Sequence, residues 1–264
     1  MARAERPATV ASLVKDLQEL GLVEASTVMV HSSLSRLGYV CGGAPAVVAA
    51  LFESVGPQGT VVMPTHSGDF SDPAAWSRPP VPEAWWDTIR SEMPAYHPLL
   101  TPTRQMGAIV ECFRHVPGAR RSAHPAVSVT AVGPTSDRVV ADHGLTYGHG
   151  ETSPLARLYD LDAQVLLLGV SHANNTALHL AEYRARLANK AWTTNAAPIW
   201  VDGRREWTSY PDLEGDDGDF ERIGQGFAGT GREAQGPVGA GTGRLMSCRD
   251  VVDHAVRWME ANRT

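Results

Sequence analysis

His179 and Glu182 stand three residues apart in the segment NNTALHLAEYRARLANK. Asn174, Asn175 and Thr176 supply capping side chains there, so the segment reads as a helix running to about Lys190. Helical spacing of three places both side chains on one face, where a carboxylate can orient an imidazole. An imidazole held this way can take the proton of an attacking amine, a contribution of about 10² to 10⁴-fold in rate. The same spacing also suits an ordinary ion pair on a solvated helix face.

A second group follows the short apolar run at residues 27–30. It comprises His31, Ser32, Ser33, Leu34, Ser35 and Arg36, continuing through Gly38 and Val40 to Gly42 and Gly43. A polar turn outside the carboxyl end of a buried strand is where open parallel sheets place ligands. Its backbone N–H groups and the start of a helix at Ala44 suit a phosphate or the amides of a pantetheine arm. Neither the Walker pattern nor G-x-G-x-x-G is present, so a plain capped turn is the alternative.

Carboxylates form a third group. Asp212, Glu214, Asp216, Asp217, Asp219 and Glu221 occur with no Lys or Arg before Arg222, while Asp69, Asp72 and Glu83 are interleaved with Trp76, Trp85 and Trp86. Carboxylates beside flat aromatic faces suit sugar-like cations. Solvated acidic loops have the same composition. A fourth feature, Gly169-Val170-Ser171-His172-Ala173, lacks only the final glycine of the serine-hydrolase elbow, and Asp216 with His254 would complete a triad in the usual chain order. No metal is expected: His172 and His179 are seven apart and H-E-x-x-H is absent.

The elements that carry these groups follow from periodicity and punctuation. Thr9 caps a helix with Leu13, Leu17 and Leu20 on one face, and Gly21 ends it. Strands at residues 27–30 and 60–63, joined by a helix over residues 44–55, predict a parallel pair with a right-handed crossover. Residues 66–102 are rich in Pro and Trp and read as a functional loop layer or lid. A helix is expected at residues 107–113 and strands at residues 127–132 and 164–170, the last the run QVLLLGV. Asp202-Gly203 marks a hairpin turn before residues 207–210, and Ser247 with Asp250 makes a capping box for a final helix over residues 250–260. The expected architecture is a single α/β domain over residues 1–264, with a mixed or parallel sheet flanked by helices and long loop insertions.

Composition narrows the function. The chain has 264 residues, 43% hydrophobic, with 23 Lys plus Arg against 29 Asp plus Glu and a formal net charge of -6. That balance excludes a protein built to grip phosphate backbones and leaves no nucleic-acid partner. Cys41, Cys112 and Cys248 are odd in number and far apart, which speaks against a disulfide framework. No apolar h-region follows the amino-terminal charges and no run of 18 apolar residues occurs, so a soluble cytoplasmic protein with no membrane partner is expected.

Taken together, VMVHSSLSRLGYVCGG, GTVVMPTHSGDFSDPAAW, RSAHPAVS, SPLARLYDLDAQVLLLGV and NNTALHLAEYRA resemble, in order, the aminoglycoside 3-N-acetyltransferase family over residues 28–185. GPVGAGTGRLMSCRDVVDHA resembles its closing segment. The resemblance implies an α/β fold distinct from the common N-acetyltransferase superfamily, and transfer of acetyl from acetyl-CoA to the 3-amino group of the 2-deoxystreptamine ring of aminoglycoside antibiotics, giving resistance. It implies no metal or bound prosthetic group. It makes His179 the general base with Glu182 beside it, and aligns His31, Ser32 and Ser33 and the R-S-x-H-P residues Arg121, Ser122, His124 and Pro125 with family motifs.

On that basis the turn from His31 to Gly43, with Arg36 and with Arg120 or Arg121 and Ser122, is expected to hold acetyl-CoA. The antibiotic is expected against Asp69, Asp72, Glu83, Trp85, His124, Asp212, Glu214, Asp216 and Asp219, in a monomer or homodimer. Ser171-His172-Ala173-Asn174 stands where many relatives carry an Asp. Competing readings are an acyl-enzyme route through Ser33, Ser171 or Cys41, a serine hydrolase using Ser171, and a binder that only sequesters aminoglycosides.

Overall fold

In the computed structural model, which describes residues 6–77 and 79–263, strand β1 (Thr27–Ser32) lies between two parallel neighbours. These are β2 (Thr60–Pro64) and β5 (Gln164–Leu168). Antiparallel strands extend both sides: β4 (Val129–Val132) and β3 (Arg120–Arg121) beyond β2, and β9 (Gly241–Ser247) and β8 (Ala234–Val238) beyond β5. The result is a seven-stranded mixed sheet in the order β3-β4-β2-β1-β5-β9-β8. Part of the amino-terminal stretch read above as lacking a leader, residues 1–5, lies outside the described residues.

Alternation along the central strands decides the two cores. In β1, Val28 and Val30 join one cluster while Met29 joins the other; in β2, Val61 and Met63 part from Val62 in the same way. Side chains on a strand point to opposite faces in turn, so continuous apolar strands must be covered on both sides. One face is covered by α1 (Val10–Glu19), α2 (Ala44–Val55) and α4 (Gly107–Phe113), which bury Leu13, Leu17, Leu51 and Phe113. The other carries α6 (Pro154–Asp160), α7 (Leu178–Arg184), α8 (Phe220–Ala228) and α9 (Cys248–Asn262), with Leu158, Leu178, Phe220 and Val251 inside. Short helices α3 (Trp86–Glu92) and α5 (Ser136–Val140) complete the set.

The α1 cap is the expected one: Thr9 accepts from the Ser12 N–H and Ser12 reaches back to Thr9. Several boundaries differ from expectation. β1 runs on through His31 and Ser32 rather than turning at His31. The helix after Asn174 starts at Leu178 and stops at Arg184, because residues 172–174 form a separate 3-10 turn. The Asp202-Gly203 turn joins two ten-residue strands, β6 (Trp192–Val201) and β7 (Arg204–Leu213), far longer than residues 207–210. Both turn residues have positive φ, 48° and 75°, as a type I′ hairpin requires. Within residues 66–102 the chain is not wholly irregular, since α3 and two 3-10 turns stand there.

Candidate active site

The chain leaves β1 toward α2 on one face and enters β5 from α6 on the other. The crevice between the carboxyl ends of β1 and β5 is therefore the place where strand order reverses, the usual ligand position of an open α/β sheet. A cavity of about 1100 Å³ occupies it. Its walls come from Ser32 to Arg36 and Gly38 after β1, Gln105 to Ile109 at the start of α4, Gly169 to Ser171 after β5, and Ala240 to Thr242 with Arg244 on β9. Gly169 has φ +67°, and a Cβ there would lie 2.6 Å from the Arg36 Cβ, so only glycine lets these strand ends approach. Gln105 sits at φ 57°, a strained conformation for a non-glycine residue, held at the cavity wall.

A smaller cavity of about 220 Å³ shares Ser32, Gln105, Met106, Val170 and Asn174 with the large one and reaches His179. There the His179 Nδ1 donates to Glu182 Oε2 at 2.6 Å. A carboxylate can only accept, so this bond fixes the tautomer and leaves Nε2 with its lone pair. Glu182 is 3% exposed and its second oxygen, Oε1, accepts from the Asp216 N–H and from Arg263 Nη1, each at 2.8 Å. The His179 ring stacks on His149 with centroids 4.7 Å apart and 6° between planes, and meets Phe220 edge-on at 4.8 Å. Gly215 closes over the pair: a Cβ there would stand 3.1 Å from Glu182 Oε2 and 3.4 Å from His179 Nδ1.

His31 and His66 line this chamber and His149 lies against the His179 ring, and all three have buried Nε2 atoms with no protein partner. Burial, reinforced by His179, pushes His31 and His66 down to about 3, and burial lowers His149 well below the ordinary imidazole value. All three rings are thus neutral.

The structure separates the residues selected from sequence. Ser32, Ser33, Leu34, Ser35, Arg36 and Gly38 line the large cleft, and His31 lines the small chamber. Val40 is buried beside Ala8, and Gly42 and Gly43 precede α2 without reaching the cleft wall. Arg121 does not face a phosphate site: its guanidinium is held by the Thr65, Pro98 and Thr101 carbonyls and it packs over Tyr96. Arg120 instead pairs with Asp137 at 3.3 Å. Ser122 and His124 belong to a buried structural network. Ser122 bonds His143 Nδ1 at 2.9 Å, while His124 accepts from the Ala126 and Val127 N–H groups and bonds the Leu145 carbonyl.

The carboxylates scatter too. Asp69 pairs with Arg104 and Asp72 with Arg90, while Glu83 and Trp85 are exposed in the loop layer and line neither chamber. Asp212 is buried against the Tyr183 hydroxyl and Asp219 against Arg263. Glu214 and Asp216 line a separate hollow of about 580 Å³ behind Glu182. Asp217, a member of the run that had not been singled out, is the one that lines the His179 chamber.

The hydrolase alternative fails on geometry. Ser171 caps a 3-10 turn, accepting from the Ala173 N–H at 3.4 Å and bonding Glu221, while His254 lies on α9 against Phe227. Among the described residues no group of three His, Cys, Asp or Glu side chains is arranged to hold a metal ion, and no helix is long and apolar enough to cross a membrane.

Arg244 and Arg263 were not anticipated. Arg244 sits in the large cleft 3.5 Å from the buried Glu233, whose other oxygen meets His172 Nε2 at 2.6 Å. Their partners lie 11 and 81 residues away in sequence, so no local spacing signals them.

A two-chambered cleft with a carboxylate-held imidazole in the wall of its smaller chamber has the make-up of an enzyme site. Comparison with known proteins gives the class: residues 29–260 match the aminoglycoside 3-N-acetyltransferase family. The chain belongs to that family and is an acyltransferase. It is 45% identical over 257 residues to the SPbeta prophage-derived aminoglycoside N(3')-acetyltransferase-like protein YokD of Bacillus subtilis, covering 97% of this chain and 94% of that protein. A crystal structure of YokD superposes with a TM-score of 0.96 at 44% identity, covering 98% and 96% of the two chains. Aminoglycoside N(3)-acetyltransferase VII of Streptomyces paromomycinus is 37% identical over 98% of this chain and 94% of its own length. The structure described as AAC-IIIb binary with CoASH matches at a TM-score of 0.87 and 31% identity, with 97% of both chains covered.

Proposed function

We propose that the protein transfers acetyl from acetyl-CoA to the 3-amino group of the 2-deoxystreptamine ring of aminoglycosides, with His179 as general base. The observation that carries this reading is the His179–Glu182 pair, with His179 lining the small chamber that shares Ser32, Gln105, Met106, Val170 and Asn174 with the large cleft. The large cleft has the size and polar backbone lining to hold an extended nucleotide-thioester, with Arg36 and Arg244 as its cations. An acidic protein needs such local cations to hold an anionic co-substrate. The small chamber, lined by Asp217 and the neutral imidazoles of His31 and His66, suits the cationic amine.

In this mechanism His179 Nε2 takes the proton as the amine nitrogen attacks the thioester carbonyl. The N–C bond forms, the C–S bond breaks, and the departing thiolate recovers a proton from the imidazolium. Glu182 steadies the imidazolium that forms between these steps.

Following free thiol while mixing acetyl-CoA with an aminoglycoside panel tests the reading. Thiol release that requires the amine is expected. Release without amine would favour a hydrolase, and stoichiometric antibiotic protection without thiol would favour a binder. Intersecting double-reciprocal lines are expected; parallel lines would bring back an acyl-enzyme.

A further inference from the structure

We infer that Arg263 is a positioning residue that sets the proton affinity of His179 by sharing the Glu182 carboxylate with it. This rests on the reading of His179 as the base. The geometry is a chain of three groups: His179 Nδ1 to Glu182 Oε2 at 2.6 Å, and Glu182 Oε1 to Arg263 Nη1 at 2.8 Å. Arg263 is itself fixed by Asp219, through Nε at 2.8 Å and Nη2 at 2.6 Å, and by the Asp216 carbonyl at 2.5 Å. Its side chain is 17% exposed and Glu182 only 3%, so solvent does little to screen the pair.

A buried carboxylate facing an imidazole alone favours the charged imidazolium, which cannot accept a proton. Arg263 offsets that pull by drawing the carboxylate's charge toward its other oxygen. The remaining groups around the ring come from several elements. His149 stacks on it from the loop before α6, and His31 on β1 and His66 after β2 are coupled to it across the chamber. Asp217 lines the chamber just before α8. Lys190 interacts with Glu182 from beyond α7. Of the two cations near Glu182, Arg263 is the one hydrogen-bonded to it. The same guanidinium ties down residues 216–219, so it also holds the segment that closes one side of the chamber.

The test compares Arg263→Gln and Arg263→Lys with the parent, using one aminoglycoside so that the substrate's own ionisation cancels. Without the guanidinium the His179–Glu182 pair takes up its proton at higher pH, whichever partner carries it. The acid limb of kcat/KM in Arg263→Gln should move up by about one pH unit, so activity at pH 6 relative to pH 9 falls further than in the parent. Arg263→Lys should return most of the shift.

The His179 ring signal in an NMR pH titration should move with the acid limb, in a readout that does not depend on turnover. An equal loss of rate at every pH, with the ring's midpoint unmoved, would overturn the inference. If Arg263→Gln does not fold, Asp219→Asn serves instead: freed of its competitor, Arg263 leans further on Glu182 and the midpoint should fall, and a midpoint that stays or rises would overturn the inference. Retained turnover in His179→Gln would remove the base role alone, while the NMR titration would still decide the link to Arg263.

Discussion

Lowering the pH from 7 to 5 should remove most of the protein's stability, and the size of the loss follows from its buried imidazoles. Burial holds His31, His66 and His143 down to about 3 and His124 to about 4, and His149 lies well below the ordinary value. In the unfolded chain each returns to about 6.5. These depressed values contribute stability that is fully present above pH 6.5 and is lost as pH falls toward 3 to 4, because the unfolded chain binds protons that the folded one refuses. At pH 5 each of the four imidazoles held at about 3 to 4 favours unfolding by about 2 kcal/mol, together about 8 kcal/mol, with His149 acting in the same direction, against a total of about 5–15 kcal/mol for a typical domain.

The carboxylates held low by hydrogen bonds, Asp72 from Arg90, Glu111 from Thr103 and Arg114, and Glu151 from Arg184, act at more acid pH and leave this window largely clear. Urea unfolding followed by circular dichroism at pH 8, 7, 6 and 5 measures the effect. Little change between pH 8 and 7 and a steep fall below 6.5 are expected. An unfolding free energy at pH 5 within about 2 kcal/mol of that at pH 7 would mean that these rings accept protons in the folded state, and the reasoning would fail.

His179→Gln should lower kcat by about 10² to 10⁴-fold with an unchanged melting temperature, and turnover near the parent's would remove the ring from the base role. Gly215→Ala should displace the His179–Glu182 pair, since the new methyl would press on Glu182 Oε2 at 3.1 Å; a fall of about tenfold in kcat with little change in KM is expected in steady-state assays. Arg244→Ala should raise the KM for acetyl-CoA by about tenfold and leave that for the aminoglycoside unchanged, because the residue lines the large cleft and not the small chamber.

The central sheet and its first helices were legible because each carried its own signal. α1 had a capped helical stripe, β5 an unbroken apolar run, and α4 and α2 matched the expected bounds. α8 was hidden: Phe220, Ile223 and Phe227 are spaced as a helix face, but they follow the acidic run and share their segment with two glycines. β8 and β9 are rich in glycine, which weakens any strand pattern, and they form because β5 offers an edge to pair with. The His179–Glu182 pairing was legible because helix geometry is local. Arg121 and His124 bond buried backbone groups, a placement the sequence could not reveal because a cation and an imidazole look alike there whether they face a ligand or carbonyls. Arg244 and Arg263 meet their partners only through tertiary packing.

The neutrality of His31, His66 and His149 has a bearing on the kind of guest the inner room can admit. A pocket walled by lysines would offer hydrogen bonds while turning away anything that carries ammonium groups. Uncharged heterocycles offer lone pairs and N–H bonds without that repulsion, so a visitor bearing several positive charges is not repelled by these rings.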